Sequence, residues 1–433
     1  MDPDASARTR RVALTLGLMT AAFIVVKTAR DALYVRDDGL VQMPWAYVGI
    51  ALLSGPVAVT VLALMRRFGP RVVRICLPLG TAAVLLAYAP FATPGGGLLP
   101  SLFFAFVPLI WGVMFSASWL LGADLLDTCP RRILAHSYAR IGASSIAGGV
   151  VGGLYARMIS SVCQPVDLLY HGAVFLLAAV AVTIRTQSRF PSTLARGSPR
   201  PATEADATSP PSSPTVFRHR YARLLLALAV LGGLVGVLVE YQFYLAAGFS
   251  GSVEGGRIEF FSMFYTVVGV IGLILQWWVT PRLQSGVGIE GSLLVLPTGL
   301  LLGASAVVLG GGTLLARAGL RLTEGGLKSS IHRSNWEQAY LALPRTLRSH
   351  AKVVVDGMGA RFGEAFAAVA LLVWIHVLGD GTGSLRTTGD WVSWSVLAGA
   401  VAWITTTAWL RRIRGREPVA LPGDRSAVPV PDS

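Results

Sequence analysis

The sequence predicts an all-α membrane protein: twelve transmembrane helices in two sets of six, a 6+6 pseudo-repeat. Three observations carry this. Of 433 residues, 53% are hydrophobic and only 14% charged, against about 25% charged in soluble domains. Apolar runs of roughly the 20 residues a bilayer-spanning helix needs recur along nearly the whole chain. One long polar interval divides them into equal groups.

Taken in order, the runs place helices at about 11–35, 43–66, 72–93, 98–126, 135–160, 165–185, 220–248, 257–281, 290–311, 313–338, 350–377 and 391–410, with ends good to a few residues. Helices are expected because backbone polar groups in lipid must be satisfied within each segment, and no run alternates as a barrel strand does. The first run follows basic residues as a secretory leader would. No small-residue cleavage site closes it and further runs follow, so it reads as an uncleaved first span. The fifth contains "SSIAGGVVGG" at 144–153, glycines that allow close helix contact in a bundle and read as packing, not as a phosphate loop. The interval 186–219, rich in Pro, Ser and Thr, reads as a disordered cytoplasmic linker. It leaves one six-helix bundle at 1–185, a second at 220–410 and a tail at 411–433.

Charge placement predicts orientation. Arg8, Arg10 and Arg11 precede the first span; Arg66, Arg67, Arg71 and Arg74 lie in the second inter-helix loop; Arg131 and Arg132 lie in the fourth; and Arg411, Arg412, Arg414 and Arg416 lie in the tail. The alternate loops are nearly free of basic residues. The positive-inside rule then puts both termini in the cytoplasm and requires an even number of spans. The net charge of +14 is a topology signal, not a nucleic-acid footprint. Cys76, Cys129 and Cys163 lack metal-ligand spacing and read as free thiols; no cofactor is expected.

The two halves share short matches. At an offset of 219, Gly69, Leu77, Pro78 and Gly80 fall on Gly288, Leu296, Pro297 and Gly299; at an offset of 214, Pro130, Arg131 and His136 fall on Pro344, Arg345 and His350. Each match is weak alone, but both occur at equivalent places, after the second and fourth helices of each half. A 6+6 chain with a central cytoplasmic linker has the layout of a major facilitator superfamily transporter, and "RRFGPR" after the second helix is similar to a degenerate form of that superfamily's loop motif, without its aspartate.

Ionisable side chains within spans are costly and face a cavity or a partner. In the first helix Lys27 and Asp31 are spaced to pair, with Arg30 and Tyr34 on the adjoining face; the competing reading has Lys27 and Arg30 snorkelling from a helix end. Helix ten carries Arg317, Arg321, Glu324, Lys328, His332 and Asn335 at steps of three and four, a single stripe that lines water or marks a helix lying on the membrane. Helix seven holds Glu240 near Gln242 and Tyr244, as partner to a cation on another helix or as a transport residue. In helix eleven Lys352 and Asp356, and Arg361 and Glu364, are spaced as internal neutralising pairs. The three lysines, Lys27, Lys328 and Lys352, stand against thirty-four arginines, and all lie in or at the start of a span.

These residues fall in stretches that resemble the nucleotide transporter family, the ATP/ADP antiporters of plastids and obligate intracellular bacteria, and more closely its relatives in free-living bacteria. The stretches are "KTARDALYVR", "WGVMFSASWLLGADLLD", "RRILAHSYARIGASSIAGGVVGG", "LVEYQFYLAA" and "LPRTLRSHAKVVVDGMGARFGEA". The resemblance implies functional roles for Arg30, Asp31, Glu240, Lys352 and Asp356. Two charged positions of the antiporters differ: Leu109 and Ile110 stand before the Trp111-Gly112 pair, and Tyr244 follows Glu240.

The expected function, as the resemblance implies, is alternating-access transport of a nucleotide or related phosphorylated anion across a bacterial inner membrane. Such a polyanion would be met by Lys27, Arg30, Arg321, Lys328 and Lys352, with Asp31, Glu240, Glu324 and Asp356 as counter-charges. With no Walker motif the nucleotide would be cargo and not fuel. The expected partners are this small anion and the lipid bilayer, with a single chain as the working unit. A proton-coupled exporter of another small molecule and a non-transporting platform remain as alternatives; enzymatic activity is not expected.

Overall fold

The computed structural model describes residues 3–126, 131–190, 218–250, 256–340, 354–376 and 384–414, with a few single positions between. Among them the chain is helical, without strands. In chain order the helices are α1 Pro3–Tyr34, α2 Asp37–Phe68, α3 Pro70–Tyr88, α4 Leu98–Leu126, α5 Arg131–Ile159, α6 Asp167–Arg189 and α7 Arg220–Gly248. Helix α8 runs from Arg257–Ile274 through a wide π turn, Leu275–Val279, to Thr280–Ser292, this last part kinked at Gly288; α9 is Val295–Leu309. Helix α10 joins Leu314–Leu327 to Arg333–Ala339 through a second π turn, Lys328–His332. Helix α11 begins with a third, Val355–Gly359, and continues as Ala360–His376; α12 is Ser384–Arg414. Among the described residues seven of these, α1 to α4 and α6 to α8, are both long and apolar enough to cross a bilayer.

Several helices overrun their apolar cores. Helix α1 starts eight residues before the expected 11, α2 starts at 37, α6 continues to 189 into the expected linker, and α12 spans 384–414 and takes in the start of the expected tail. Hydropathy marks only the lipid-embedded part, whereas i to i−4 hydrogen bonding continues into water wherever no Pro or Gly stops it. The remainder of the expected linker, from 191 to 217, the tail from 415 on, and Cys129 lie outside the described residues; Cys76 and Cys163 are free.

The first of the two repeat matches has a physical basis. Gly69 and Gly288 both adopt positive φ, 83° and 75°, and each breaks the chain nine residues before a buried proline, Pro78 or Pro297. A left-handed backbone favours glycine, so the same sharp stop recurs in each half. The matched residues of the second, at 130–136 and 344–350, fall outside those whose side chains are described.

Within the first half α1 packs on α4, α5 and α6, and within the second α7 packs on α10, α11 and α12. Glycine sets the distance in both. A Cβ on Gly148 or Gly152 of α5 would overlap the backbone of Gly17 or Ala21 in α1, and one on Gly363 of α11 would overlap Val230 of α7. Between the halves α5 lies on α8, with Gly153 against Ser262 and Thr266, and α2 lies on α11. At the end where α1 and α7 finish the halves are sealed: Gly248 abuts Leu40 and Val35, and the Tyr241 hydroxyl donates to the Leu40 carbonyl at 3.3 Å. Helix α2 from Leu52 to Phe68 is exposed on most of its faces.

Replacing Gly148 by leucine should destabilise the protein by about 1–3 kcal/mol, the usual cost of overpacking. The same change at Gly142, which has open space around it, should leave thermal unfolding in detergent nearly unchanged.

Candidate functional site

Five helices bring charged and phenolic side chains to one place between the halves. Lys27, Arg30 and Asp31 lie within one turn of α1 and so share a face. Glu240 and Tyr244 are four apart on α7, and Arg321, Glu324 and Lys328 follow the same rule on α10. Tyr47 comes from α2 and Tyr265 from α8.

Glu240 is the hub. Its carboxylate meets Lys27 Nζ at 3.3 Å and Arg321 Nη2 at 2.7 Å, and accepts from the Tyr47 hydroxyl at 3.3 Å and the Tyr244 hydroxyl at 3.2 Å. Arg321 also pairs with Glu324, which holds Lys328 at 2.8 Å. Asp31, fully buried, is gripped by Arg30 at 2.6 Å and accepts from Tyr244 at 3.0 Å and from Tyr265. Rings cover the cations: Lys27 Nζ is 4.6 Å from the Tyr265 centroid and the Arg30 guanidinium 4.1 Å from that of Phe104, geometry suited to cation–π attraction.

Tyr244 has one proton to donate but reaches both Asp31 and Glu240 while accepting from Arg30 at 3.1 Å. It ties the two carboxylates together. Four cations against three carboxylates leave the cluster one positive charge in excess. Lys328 is half exposed, at 51% of its side chain, whereas Arg30, Asp31 and Glu324 are 5% or less. The cluster is thus buried at Asp31 and open at Lys328.

The structure rearranges several expected pairs. Lys27 and Asp31 do not pair with each other: Lys27 crosses to Glu240 on α7, and Asp31 takes its own neighbour Arg30. The snorkelling reading of Lys27 and Arg30 is not what is seen, since Arg30 is buried and Lys27 nearly so, each among partners. Lys352 and Asp356 do not pair either. Lys352 meets Glu337 of α10, and Asp356 accepts from the Trp336 indole at 2.8 Å and from the Tyr340 hydroxyl. Glu337 is nine residues beyond Lys328, about 14 Å along a helix, so these two residues tie α11 to the far end of α10 outside the cluster. Arg361 and Glu364 do form the expected internal pair, at 2.6 Å.

Nor is the α10 stripe a single surface. Arg317 lies 4.0 Å from Asp390 on α12, Asn335 accepts from Gln284 of α8, and His332 stacks on Trp336 and meets Trp403 edge-on. A π turn inserts one residue, and at 3.6 residues per turn that rotates everything after it by about 100°. The turn Lys328–His332 therefore swings His332 and Asn335 off the face held by Arg321 and Glu324. Gln242 likewise turns from Glu240, accepting from Ser393 on α12 at 3.0 Å.

Tyr47 and Tyr265 were not legible as site residues, because nothing in "WAYVG" or "MFYTV" distinguishes a phenol facing carboxylates from one at a lipid interface. The positions before Trp111 have their own setting: Leu109 and Ile110 line an apolar groove of about 420 Å³ with Leu53, Val57 and Val84, between α2, α3 and α4. No group of three or more His, Cys, Asp or Glu that could hold a metal occurs among the described residues.

No protein-family profile and no curated protein matches this sequence. Solved structures do. The nucleoside transporter NupG superposes with a TM-score of 0.66 over 94% of this chain and 99% of its own, at 10% identity. A mutant form of the same transporter gives 0.66 over 93% and 99%, at 11% identity. The fold is that of the major facilitator superfamily. The POT family transporter PepTSo, of similar architecture, gives 0.62 over 93% and 98%, at 10% identity. In facilitator-fold terms, the cluster occupies the seam between the two halves.

Asp31→Asn should cost about 3–5 kcal/mol, because it leaves Arg30 buried without a counter-charge. The double change Arg30→Met with Asp31→Leu removes both charges and should recover most of that loss. Thermal unfolding of the purified variants measures both.

Proposed function

We propose that the protein is a secondary transporter that carries a nucleotide or related phosphorylated anion across the inner membrane by alternating access. The observation that supports this best is the seam cluster, in which cations from both halves are held by carboxylates that a phosphate can replace. Glu240 engages Lys27 and Arg321, and Asp31 engages Arg30. An incoming phosphate offers the same guanidinium and ammonium groups more oxygens and more charge, and Arg–phosphate forks are among the stronger polar contacts. Displaced carboxylates then no longer hold α1 to α7, and the bundles 1–185 and 220–410 are free to rock about the seam.

The part of the cleft open at Lys328 lies toward the end where α1 begins, which the positive-inside expectation assigns to the cytoplasm. Lys328, Arg321, Lys27 and Arg30 thus form a path of rising burial for an anion entering from that side. Lys352 and Asp356, tied to Glu337, Trp336 and Tyr340, act at the entrance in this reading and do not bind cargo. That NupG is a nucleoside transporter is compatible with a base and sugar being accommodated by this architecture. A second reading, proton-coupled transport of another small molecule, draws on Tyr244, which bridges Asp31 and Glu240 and could pass a proton between them.

The test is uptake into liposomes reconstituted with the protein. Labelled ATP should accumulate, faster with ADP inside, and Arg30→Ala should lower the rate at least tenfold, equivalent to about 1.4 kcal/mol. Glu240→Gln removes the competing anion and should tighten ATP binding while slowing exchange. No uptake by folded protein without a pH gradient, followed by uptake of another solute with one, would replace the nucleotide reading with the proton-coupled one.

A further inference from the structure

A second basic site lies away from the seam. Where α1 packs against α6, Arg10 and Arg11 of α1 and Arg185 and Arg189 of α6 line a groove of about 500 Å³, together with Ala7, Leu14 and Val182. None of the four arginines takes part in an ion pair among the described residues. Four guanidiniums converge there with no carboxylate among the groove's lining residues to neutralise them. Like charges so placed repel one another, so the groove is built to gain from an anion.

The order of residues along the two helices says which kind. Helix α1 leads into the bundle and α6 leads out of it, so Leu14 and Val182 lie deeper and Arg10, Arg11, Arg185 and Arg189 nearer the helix ends. Leu14, 51% exposed, and Val182 line the same groove beneath the basic rim and make an apolar wall there. A dissolved phosphate would use the rim alone. A lipid uses both levels, with its phosphate at the arginines and its acyl chains along Leu14 and Val182, and basic pockets between transmembrane helices are of the kind that hold anionic headgroups.

We propose that the groove between α1 and α6 binds the phosphate of an anionic phospholipid from the leaflet around it. The bound headgroup offsets the repulsion among the four arginines and ties the start of α1 to the end of α6. Because α1 also carries Lys27, Arg30 and Asp31, the lipid steadies the helix on which the seam cluster is built.

The experiment is thermal unfolding of the full chain in detergent, with phosphatidylglycerol, phosphatidylcholine or inorganic phosphate added. Arg185→Gln with Arg189→Gln is the test variant, since it spares the arginines that set the orientation of the first span. Phosphatidylglycerol should raise Tm by several degrees and the other two additives should not, and the variant should lose at least half of the rise. If the variant does not fold, Val182→Trp, which fills the groove and keeps every charge, takes its place with the same expected loss. An equal rise with phosphatidylcholine, a rise reproduced by inorganic phosphate, or an undiminished rise in the variant used would each overturn the proposal, the second by making the groove a site for soluble anions.

Discussion

Removing an ion from water costs several kcal/mol, so ionised side chains inside a bilayer persist only where they are matched. That requirement organises the middle of this molecule. Seven charged side chains from α1, α7 and α10 meet there, and each carboxylate is held by at least one cation; Glu240 also takes Tyr47, Asp31 takes Tyr265, and the two share the single proton of Tyr244. The matching is made across the seam: Lys27 in one half finds its partner in the other. Everything that positions α1 and α7 therefore bears on whether the charges are paired. The glycines of α5 and α11, which let those helices lie against α1 and α7 backbone to backbone, serve electrostatics as well as packing.

Much of the fold was legible in the sequence because lipid is a strict solvent. Apolar runs announce helices, and the helices of the structure fall on all twelve of them. The ends differ where α1, α6 and α12 continue past the apolar core, since hydropathy reports the slab and not the rod. The repeat was legible at Gly69 and Gly288 because a backbone conformation that favours glycine leaves a residue-level trace. The site was legible in part. Charge in a span singled out Lys27, Arg30, Asp31, Glu240, Arg321, Glu324 and Lys328, all of which meet. Their pairing was not, because spacing on one helix says which residues share a face and nothing of what stands opposite. Lys27 and Asp31 look like partners on α1, and each is claimed by a better-placed group. Lys352 and Asp356 part for the same reason.

The basic groove at α1 and α6 shows how one residue type serves two ends. Arg10 and Arg11 are accounted for by orientation alone when read in sequence. Only packing brings them together with Arg185 and Arg189, with Leu14 and Val182 beneath them. Residues that read as a topology signal in the sequence are, in the folded protein, also the lining of a groove.

The three π turns, in α8, α10 and α11, all fall in the second half among the described residues. Each is a place where the regular hydrogen-bond ladder is already interrupted, and so where a helix can bend or slip with little further loss. The described helices of the first half contain no π turn, but Pro44 and Pro56 in α2, Pro78 in α3 and Pro108 in α4 each remove a donor from the ladder. Both halves therefore hold points where a helix can bend, made by proline in the first and by π turns in the second.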